Sequence, residues 1–493
     1  MDTRPGDHTV RRVANLIDGV AADPAEGHWI ERRSPADGTV IADLAGSTVV
    51  DCERAVLSCR RAQPAWSRRT VVERGDTIRR AAELLRENAD ELVQRVCLET
   101  GKPPRDARGE LGAAIEMAYF VAGEGRRFYG RTTTSAMPHK DVFLVRGPVG
   151  VAALIVASNT PLPNYAWKVF PALLCGNAAV LKPSEDTPLS AELFGRLVLE
   201  AGVPAGVLNV VHGLGAEAGA ALVENPGVDL VSFTGSSGTG RWIQATAGAR
   251  LAKVSLELGG KNPLVVCDDA DLPAAAKAAT LSAYSNAGQR CAAGSRVIVF
   301  DTVYSDFVSL MLEATGALRV GTGDDADLGP VINERAITRM LDATEAARAA
   351  GATVLCGGRR LSGPGFDGGC FLEPTLIADV DRGAPVSCVE LFGPVASVYR
   401  VAGFEEALEL ANATAYGLTA AIHTRNVDRA MVFAGRVQAG MVVVNGPTYG
   451  SEPHMPFGGV KHSGNGFREA GTEALDVFSE WKNISIIHDP SRV

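Results

Sequence analysis

The sequence predicts an α/β protein with two doubly wound parallel sheets, and three observations lead to this prediction. Short apolar runs rich in Val, Ile and Leu alternate with amphipathic segments from Val142 onward, a pattern typical of parallel sheets covered by helices on both faces. The alternation forms two series of similar size, divided near Glu257. The chain has 493 residues, 46 % of them hydrophobic, which suffices for the cores of two or three domains.

Residues 49–99 precede the sheets and show a helical pattern. Asp51 is placed to cap a helix, and Asp76 precedes a run with apolar residues three and four apart, TIRRAAELLRENADELVQRV. This opening segment is therefore predicted to be largely helical.

The first alternating series begins at Val142. Its predicted strands lie in FLVRGPVGVAALIVAS, which is broken at Gly147 and Pro148, and in AAVLKPS, VLNVVHG and VDLVSFTGS. Its predicted helices are LSAELFGRLVLEAG, AGAALVENP and a segment from about Gly238. Together these elements describe one doubly wound sheet of the kind that binds nucleotides.

The second series follows Glu257. Its predicted strands are NPLVVCDD, SRVIVFD, ATVLCGG, ASVYR and MVVVN, and its predicted helices include DLPAAAKAATLSAYS and YSDFVSLMLEATGA. GTGDDADLGP and GGRRLSGPGFDGG are predicted loops. The tail VFSEWKNISII is predicted to be an isolated strand that pairs either with another subunit or with residues 125–146.

The composition argues against several classes of partner. With 48 Lys and Arg against 57 Asp and Glu, the formal net charge is −9, whereas a face that binds nucleic acid or an anionic membrane needs a basic excess. No stretch reaches about 18 consecutive apolar residues, and the opening MDTRPGDHTVRRVANLIDG has no apolar run of signal-peptide length. The nine cysteines form no CxxC pair, which indicates reduced thiols. A soluble cytoplasmic protein is expected.

Two strand ends in the first series have features of a nucleotide site. The turn VSFTGSSGTGRW places Gly235 and Ser236 before a helix, where backbone N–H groups and the helix dipole favour a phosphate. It lacks the G-x-G-x-x-G spacing and can equally be a structural turn. The turn LKPSEDTPLS presents Lys182 and Glu185, which either bind ribose hydroxyls or form a solvated loop. If a dinucleotide binds there, Glu185 would repel a 2′-phosphate, which favours NAD over NADP.

Cys291, in SNAGQRCAAGSR, is the candidate nucleophile among the nine thiols. The turn-rich residues before it allow partial exposure, and its own N–H can donate to an oxyanion. A thiol that attacks a carbonyl must be deprotonated or have a lowered pKa. The alternative is that Cys291 is a small buried hydrophobic residue.

Two further residues could complete such a site. Glu257, in VSLELGGKNP, ends an apolar strand, and an apolar setting would raise its pKa and suit it to general-base catalysis. Alternatively, Glu257 pairs with Lys261. Asn159, in IVASNTPLPN, follows a strand and can donate its amide to an oxyanion, or it is a turn residue ahead of Pro161.

Motifs along almost the whole chain resemble one family, the aldehyde dehydrogenases. The matching stretches occur in the family's order: GPVGVAALIVASN, FPALLCGNAAVLKPSEDTP, FTGSSGTG, LELGGKNP, NAGQRC, ELFGPV and PFGGVKHSG. Within them Glu257 and Cys291 are 291 − 257 = 34 residues apart. The chain is similar to the NAD(P)-dependent, hydrolytic members of the family.

The resemblance implies roles for the matching residues. Cys291 would be the nucleophile, Asn159 and the Cys291 amide the oxyanion hole, and Glu257 the base that activates water to release the acid. The implied cofactor is NAD, with NADP less favoured. Lys182 and Glu185 would hold its adenosine ribose, Ser236 its pyrophosphate, Glu390 its nicotinamide ribose and Phe392 its nicotinamide ring. The implied cofactor-binding residues are Lys182, Glu185, Gly235, Ser236, Leu258, Glu390 and Phe392.

The resemblance also implies a domain plan. Residues 1–123 and 148–257 would form a Rossmann-like NAD-binding domain, and residues 258–477 a catalytic domain. Residues 124–147 and 478–493 would form a small β oligomerisation element. A homodimer or homotetramer is therefore expected.

Residues near the implied active site suggest the class of aldehyde. The resemblance places five residues along the substrate tunnel, with the loop TYGSEPHM at its rim: Thr160, Asn164, Trp167, Arg290 and Ala292. An arginine beside the nucleophile favours a polar or carboxylate-bearing semialdehyde, unless Arg290 forms a structural ion pair instead. Trp167 and Tyr449 leave an aromatic aldehyde as the alternative.

Two other functions fit parts of the pattern. A CoA-acylating dehydrogenase would pass the acyl group to a thiol instead of water, although enzymes of that type usually lack a glutamate at the position of Glu257. A non-catalytic protein of this fold would be expected to lack Cys291, Glu257 or Asn159, and all three are present. The eight histidines are dispersed, with no His-x-x-x-His pair, so no metal site is expected.

Overall fold

The computed structural model describes residues 10–492. Residues 1–9, which begin the predicted first domain and the segment expected to lack a signal peptide, lie outside the described residues, as does Val493 of the predicted oligomerisation element.

Helices account for much of the described chain. The α-helices are α1 Val49–Arg68, α2 Val71–Glu87, α3 Ala89–Thr100, α4 Pro104–Glu124, α5 Pro161–Leu174, α6 Pro188–Glu200, α7 Ala220–Glu224, α8 Ser237–Ala249, α9 Leu272–Tyr284, α10 Tyr304–Gly316, α11 Glu334–Ala349, α12 Pro385–Cys388, α13 Phe404–Asn412, α14 Val427–Arg436 and α15 Ala474–Phe478. None of the helices described is both long and apolar enough to cross a membrane.

The strands alternate with these helices from residue 140 onward. They are β1 Arg11–Val13, β2 Asn15–Ile17, β3 Val20–Ala22, β4 Trp29–Arg33, β5 Val40–Ala45, β6 Arg131–Thr133, β7 Lys140–Pro148, β8 Val151–Ile155, β9 Ala178–Lys182, β10 Leu208–Val210, β11 Leu230–Gly235, β12 Lys253–Leu258, β13 Pro263–Val266, β14 Arg296–Phe300, β15 Thr353–Cys356, β16 Thr375–Ala378, β17 Val395–Val401, β18 Tyr416–Gly417, β19 Thr419–His423, β20 Met441–Val444, β21 Val460–Lys461 and β22 Ser479–Ile487.

The first large sheet has the strand order β12-β11-β8-β9-β10-β2-β3. Strands β8 to β12 run parallel, with buried apolar clusters on the two faces of the sheet. Strand β8 lies beside both β9 and β11, so the direction of chain progression reverses there. In such sheets ligands bind beyond the carboxyl ends of the strands at this switch point.

The second large sheet has the order β15-β16-β17-β14-β13-β19-β20. It is parallel except for β15, which pairs antiparallel with β16. The predicted class of two doubly wound sheets is thus confirmed. Strand β15 was predicted, within ATVLCGG, but its antiparallel direction was not. Strands β2 and β3, which pair antiparallel at the other sheet's margin, were not predicted because they lie before the alternating series begins.

The helical opening is confirmed, but two expectations about its helix starts are wrong. Thr48, not Asp51, is the N-cap of α1, and an Asp51 carboxylate oxygen accepts a hydrogen bond from the Thr48 N–H at 3.2 Å. Asp76 lies inside α2, which begins at Val71 after the N-cap Thr70. Both helices begin with a capping box, in which the N-cap is a threonine and the third helical residue is acidic.

The predicted tail strand pairs within its own chain. Strand β22 runs antiparallel to β7 over nine residue pairs, and β6 lies on the other side of β7. Eight of the nine residues of β22 are exposed. The sequence left pairing with residues 125–146 or with another subunit open, and the structure shows the former. The domain boundaries themselves stay predictions.

Candidate active site

The predicted site residues lie where the two large sheets face each other. Strand β12 ends at Leu258 and β13 begins at Pro263, so the chain crosses in four residues from the carboxyl edge of the first sheet to the amino edge of the second. Asn159 follows β8 at the first edge, and Cys291 precedes β14 at the second. The crevice between the sheets therefore receives side chains from both series.

Asn262 holds the loop that carries Cys291 by hydrogen bonds to its backbone. The Asn262 Nδ2 donates to the carbonyl oxygens of Cys291 and Ala293, each at 2.8 Å. Asn286 and Ala287 adopt left-handed φ values of 54° and 53°, a conformation that non-glycine residues adopt at some cost in energy. Cys291 is partly exposed, as expected, and its N–H has no acceptor within residues 10–492. That N–H is thus available to an oxyanion.

The thiol of Cys291 is not activated by its protein surroundings alone. Loss of solvent around the sulfur raises its pKa to about 12, and the carboxylates of Glu390 and Glu257 add to the rise. A reactive thiol needs either a lowered pKa or removal of its proton by another group, and the pKa of Cys291 is not lowered. The thiol is protonated at neutral pH, and its attack requires removal of the proton.

Glu257 is a buried carboxylate without a hydrogen-bonding partner. It is 3 % exposed, and neither carboxylate oxygen is bonded within the described chain. Burial, with the nearby Glu469 carboxylate, raises the pKa of Glu257 well above 4.5, the direction expected from its apolar strand. The alternative ion pair with Lys261 does not form. A Cβ at Gly458 would lie 2.6 Å from a Glu257 oxygen, so glycine at that position makes room for the carboxylate.

A buried ion pair behind Glu257 was not predicted. Lys168, on α5, is fully buried and pairs with Glu469, and its Nζ donates to Ser232 Oγ at 2.8 Å. This pair supplies two of the charges that act on Glu257: Glu469 raises its pKa, while Lys168 lowers it. A lysine within the apolar run WKVFPALL is the one signal that could have indicated a buried, paired charge.

Asn159 is fixed by donors from three segments. Its backbone carbonyl accepts from Lys102 Nζ at 2.7 Å and from Asn286 Nδ2 at 3.1 Å. Its side-chain oxygen accepts from Asn164 Nδ2 at 3.2 Å. Asn286 belongs to the Cys291 loop, so its bond joins that loop directly to Asn159.

The residues predicted to hold an adenosine ribose and a pyrophosphate lie at adjacent strand ends. Lys182 ends β9, and its Nζ lies 3.5 Å from a Glu185 oxygen. Burial lowers the pKa of Lys182. Gly235 ends β11, and Ser236 caps α8 by accepting from the Thr239 N–H at 3.3 Å.

The residues predicted to hold the nicotinamide end lie nearer Cys291. Glu390 accepts a hydrogen bond from the Gly260 N–H at 3.1 Å, and burial raises its pKa to about 7. Leu258 is the buried last residue of β12. Phe392 is partly exposed and has a φ of 57°.

Arg290 does not form the structural ion pair considered as its alternative. Its Nε donates to Ser285 Oγ at 3.3 Å, and its guanidinium carbon lies 4.8 Å from the ring centroid of Tyr449. Within residues 10–492 no carboxylate pairs with it. The guanidinium is therefore stacked on a rim residue of the predicted tunnel, with its two Nη groups unpaired.

The other residues predicted to line the tunnel differ in their exposure and in their contacts. Thr160 is the residue before α5 and is partly exposed. Trp167 is partly exposed and packs edge-on against Phe457 at 5.3 Å between ring centroids. Ala292 is 4 % exposed. Asn164 directs its side-chain amide to Asn159 and to the carbonyl of Ala157, at 3.1 Å from the latter.

Comparison with known proteins identifies related chains. A model of the aldehyde dehydrogenase family matches residues 22–484. The chain is 36 % identical over 475 residues to an α-ketoglutaric semialdehyde dehydrogenase of Bacillus subtilis, covering 96 % of this chain and 97 % of the relative. It is 36 % identical over 472 residues to a glutarate-semialdehyde dehydrogenase of Pseudomonas aeruginosa, covering 95 % and 96 %.

A solved structure with a very similar fold contains a cofactor. Betaine aldehyde dehydrogenase from Staphylococcus aureus, in complex with NAD⁺, superimposes with a TM-score of 0.94 at 33 % identity. The match covers 97 % of this chain and 95 % of that chain.

Proposed function

Because the chain belongs to the aldehyde dehydrogenase family, we propose that it oxidises a carboxylate-bearing semialdehyde to the acid, with NAD⁺ as the hydride acceptor. The observation that carries the substrate class is Arg290, a cation next to Cys291 that is stacked on Tyr449 and lacks a carboxylate partner. Two of the related enzymes act, by their names, on semialdehydes of dicarboxylic acids.

The strand ends fit a dinucleotide. The N–H groups of Ser237 and Gly238, in the first turn of α8, have no acceptor in the described chain, and such groups bind phosphate oxygens. The Lys182–Glu185 pair suits ribose hydroxyls, and the Glu185 charge disfavours a 2′-phosphate, which supports NAD over NADP. NAD⁺, when bound, accepts a hydride from the substrate carbon.

The mechanism follows from the environments of three side chains. The Cys291 thiol gives its proton to solvent water and its sulfur adds to the aldehyde carbon. The Asn159 Nδ2 and the Cys291 N–H stabilise the resulting oxyanion. Loss of hydride leaves a thioester on Cys291. Glu257 then removes a proton from water, which attacks the thioester and releases the acid. The raised pKa of Glu257 makes its carboxylate a stronger base than an ordinary glutamate.

Replacement of Arg290 by Gln should separate charged from neutral substrates. We expect KM for a dicarboxylic semialdehyde to rise about 10- to 100-fold, since a charge-assisted hydrogen bond contributes about 1.5–3 kcal/mol. KM for a neutral alkyl aldehyde should change little. Steady-state kinetics on a panel of semialdehydes, aromatic aldehydes and alkyl aldehydes measures both effects.

The matched control is Arg319→Gln, because Arg319 is an exposed arginine of the same half of the chain, is paired with Asp325 and is not among the predicted site residues. It should leave both KM values unchanged. Equal losses for charged and neutral aldehydes in Arg290→Gln, or a wild-type preference for unbranched alkyl or aromatic aldehydes, would contradict recognition of a carboxylate.

The three-stranded sheet formed by β6, β7 and β22 is proposed to bind a second copy of this chain. Strand β22 is one of its two edge strands. One face of the sheet carries four apolar side chains that are between 37 % and 50 % exposed: Phe143, Val145, Ile484 and Ile486. An exposed apolar edge strand is a template for pairing with another chain. A homodimer or homotetramer therefore remains our proposal, as does a cytoplasmic location.

Two lysines on β22 should break this assembly. The double change Ile484→Lys and Ile486→Lys is expected to shift the mass measured by light scattering toward the monomer, because like charges would meet across the interface. Met431→Lys, on the exposed face of α14, is the control and should assemble as the wild type does. A monomeric wild type, or unchanged assembly of the double variant, would refute the proposal.

A further inference from the structure

The side-chain amide of Asn159 has two ends, and one of them alone can stabilise an oxyanion. Its Nδ2 donates hydrogen bonds, whereas its Oδ1 would repel a developing negative charge. The two ends have nearly the same shape, so a half-turn of the amide exchanges them at little steric cost. An active site that uses this amide needs a second group that decides which end faces the crevice.

Asn164, in the first turn of α5, is placed to make that decision. Its Nδ2 donates to the Ala157 carbonyl at 3.1 Å and to the Asn159 side chain at 3.2 Å. A backbone carbonyl can only accept, so the end of Asn164 that faces Ala157 must be its NH₂ group. The same NH₂ group faces Asn159, and the Asn159 atom that receives it must therefore be oxygen.

The remaining polar groups of Asn159 are held independently. Lys102 and Asn286 both donate to its backbone carbonyl. The Asn164 N–H donates to the Thr160 carbonyl at 3.1 Å, which closes the first turn of the helix and fixes the donor residue itself. Both oxygens of Asn159 are therefore engaged, and within the described chain its Nδ2, like its backbone N–H, has no acceptor.

We propose that Asn164 is a positioning residue that holds the Asn159 amide with Nδ2 toward the reacting carbonyl. The inference rests on the proposed function, in which Asn159 stabilises the oxyanion. It assigns Asn164 a role different from the direct substrate contact expected from sequence. Without this donor both amide orientations would be populated, and with an acceptor in its place the wrong orientation would be favoured.

Two substitutions distinguish these cases. Asn164→Leu removes the donor and should lower kcat about twofold, because a freely turning amide presents Nδ2 to the carbonyl in about half of the molecules. Asn164→Asp replaces the donor by a carboxylate that attracts the Asn159 NH₂, and should lower kcat about 100-fold at pH 8, close to the effect of Asn159→Ala. At lower pH, relative to wild type at the same pH, Asn164→Asp should recover as its carboxyl gains a proton and can donate again. KM for substrate and for NAD⁺ should change less than about twofold, since this positioning acts on the transition state.

The decisive measurement is a double-mutant cycle with Asn159→Ala. In that background Asn164→Asp should alter kcat by less than about twofold instead of about 100-fold, and Asn164→Leu should leave kcat unchanged, since there is no amide left to orient. Losses that multiply in the double variants, or an Asn164 effect on KM instead of kcat, would overturn the inference and indicate packing or substrate contact. An Asn159→Ala variant with normal kcat would instead refute the oxyanion step of the proposed function, and this inference with it.

Discussion

Replacing Cys291 by Ala is expected to lower kcat by about 10⁴-fold or more, because the proposed reaction has no covalent route without this sulfur. The variant should still bind NAD⁺, since the residues at the strand ends of the first sheet are untouched. Activity is followed by NADH absorbance, and cofactor binding by the shift in melting temperature that NAD⁺ causes.

The matched control is Cys356→Ala. Cys356 is also partly exposed and lies in the same half of the chain, at the end of β15 on the margin of the second sheet. It should retain wild-type activity. If Cys291→Ala kept activity within tenfold of wild type, covalent catalysis by this residue would be excluded.

Replacing Glu257 by Gln is expected to separate oxidation from release of the acid. The variant should form about one NADH per active site in a rapid burst and then turn over some 10²- to 10⁴-fold more slowly than wild type, because the thioester lacks a base to activate water. Stopped-flow absorbance resolves the two phases. Hydroxylamine, which attacks thioesters without a base, should restore turnover and yield a hydroxamate.

The pH profile of the same pair of proteins tests the raised pKa of Glu257. The carboxylate form is the active base, so wild-type kcat should fall as the pH drops through a pKa well above 4.5. In Glu257→Gln this acidic limb should disappear. Glu313→Gln, an exposed change on α10, should keep the limb. A Glu257→Gln variant with no burst and no loss of steady-state rate would contradict the assignment of the base.

The residues proposed to do chemistry were predictable because each lies next to a strand end within a short motif. Glu257, Asn159 and Cys291 could be named as candidates from their immediate neighbours, and the family resemblance implied their roles. The two-sheet class followed from short apolar strands that alternate with amphipathic helices. Of the pKa shifts at Glu257 and Cys291, only the direction at Glu257 was predictable from the sequence. The apolar strand indicated the rise in the pKa of Glu257. The rise in the pKa of Cys291 depends first on burial of the sulfur and then on carboxylates from other segments, neither of which its neighbours in sequence show.

Contacts between distant segments were beyond sequence reasoning. The Lys168–Glu469 pair joins residues 301 positions apart, and no local pattern marks the two as partners. The bond from Asn286 to Asn159 spans 127 positions and depends on a left-handed turn that the sequence SNAGQR does not reveal. Strands β1 to β5 were missed because they precede the helical opening and the alternating series, so no repeated strand–helix pattern surrounds them.

The pairing of β22 with β7 has a consequence for synthesis of the protein. Ser479 pairs with Pro148. At ordinary elongation rates β7 therefore leaves the ribosome about 15–65 s before its partner strand β22. Over the same interval Lys168 lacks its Glu469 partner, and an unpaired charge in the interior opposes folding. The first large sheet is therefore expected to complete its folding late. A nascent chain stalled before residue 469 should depend on chaperones that cover the open edge of β7.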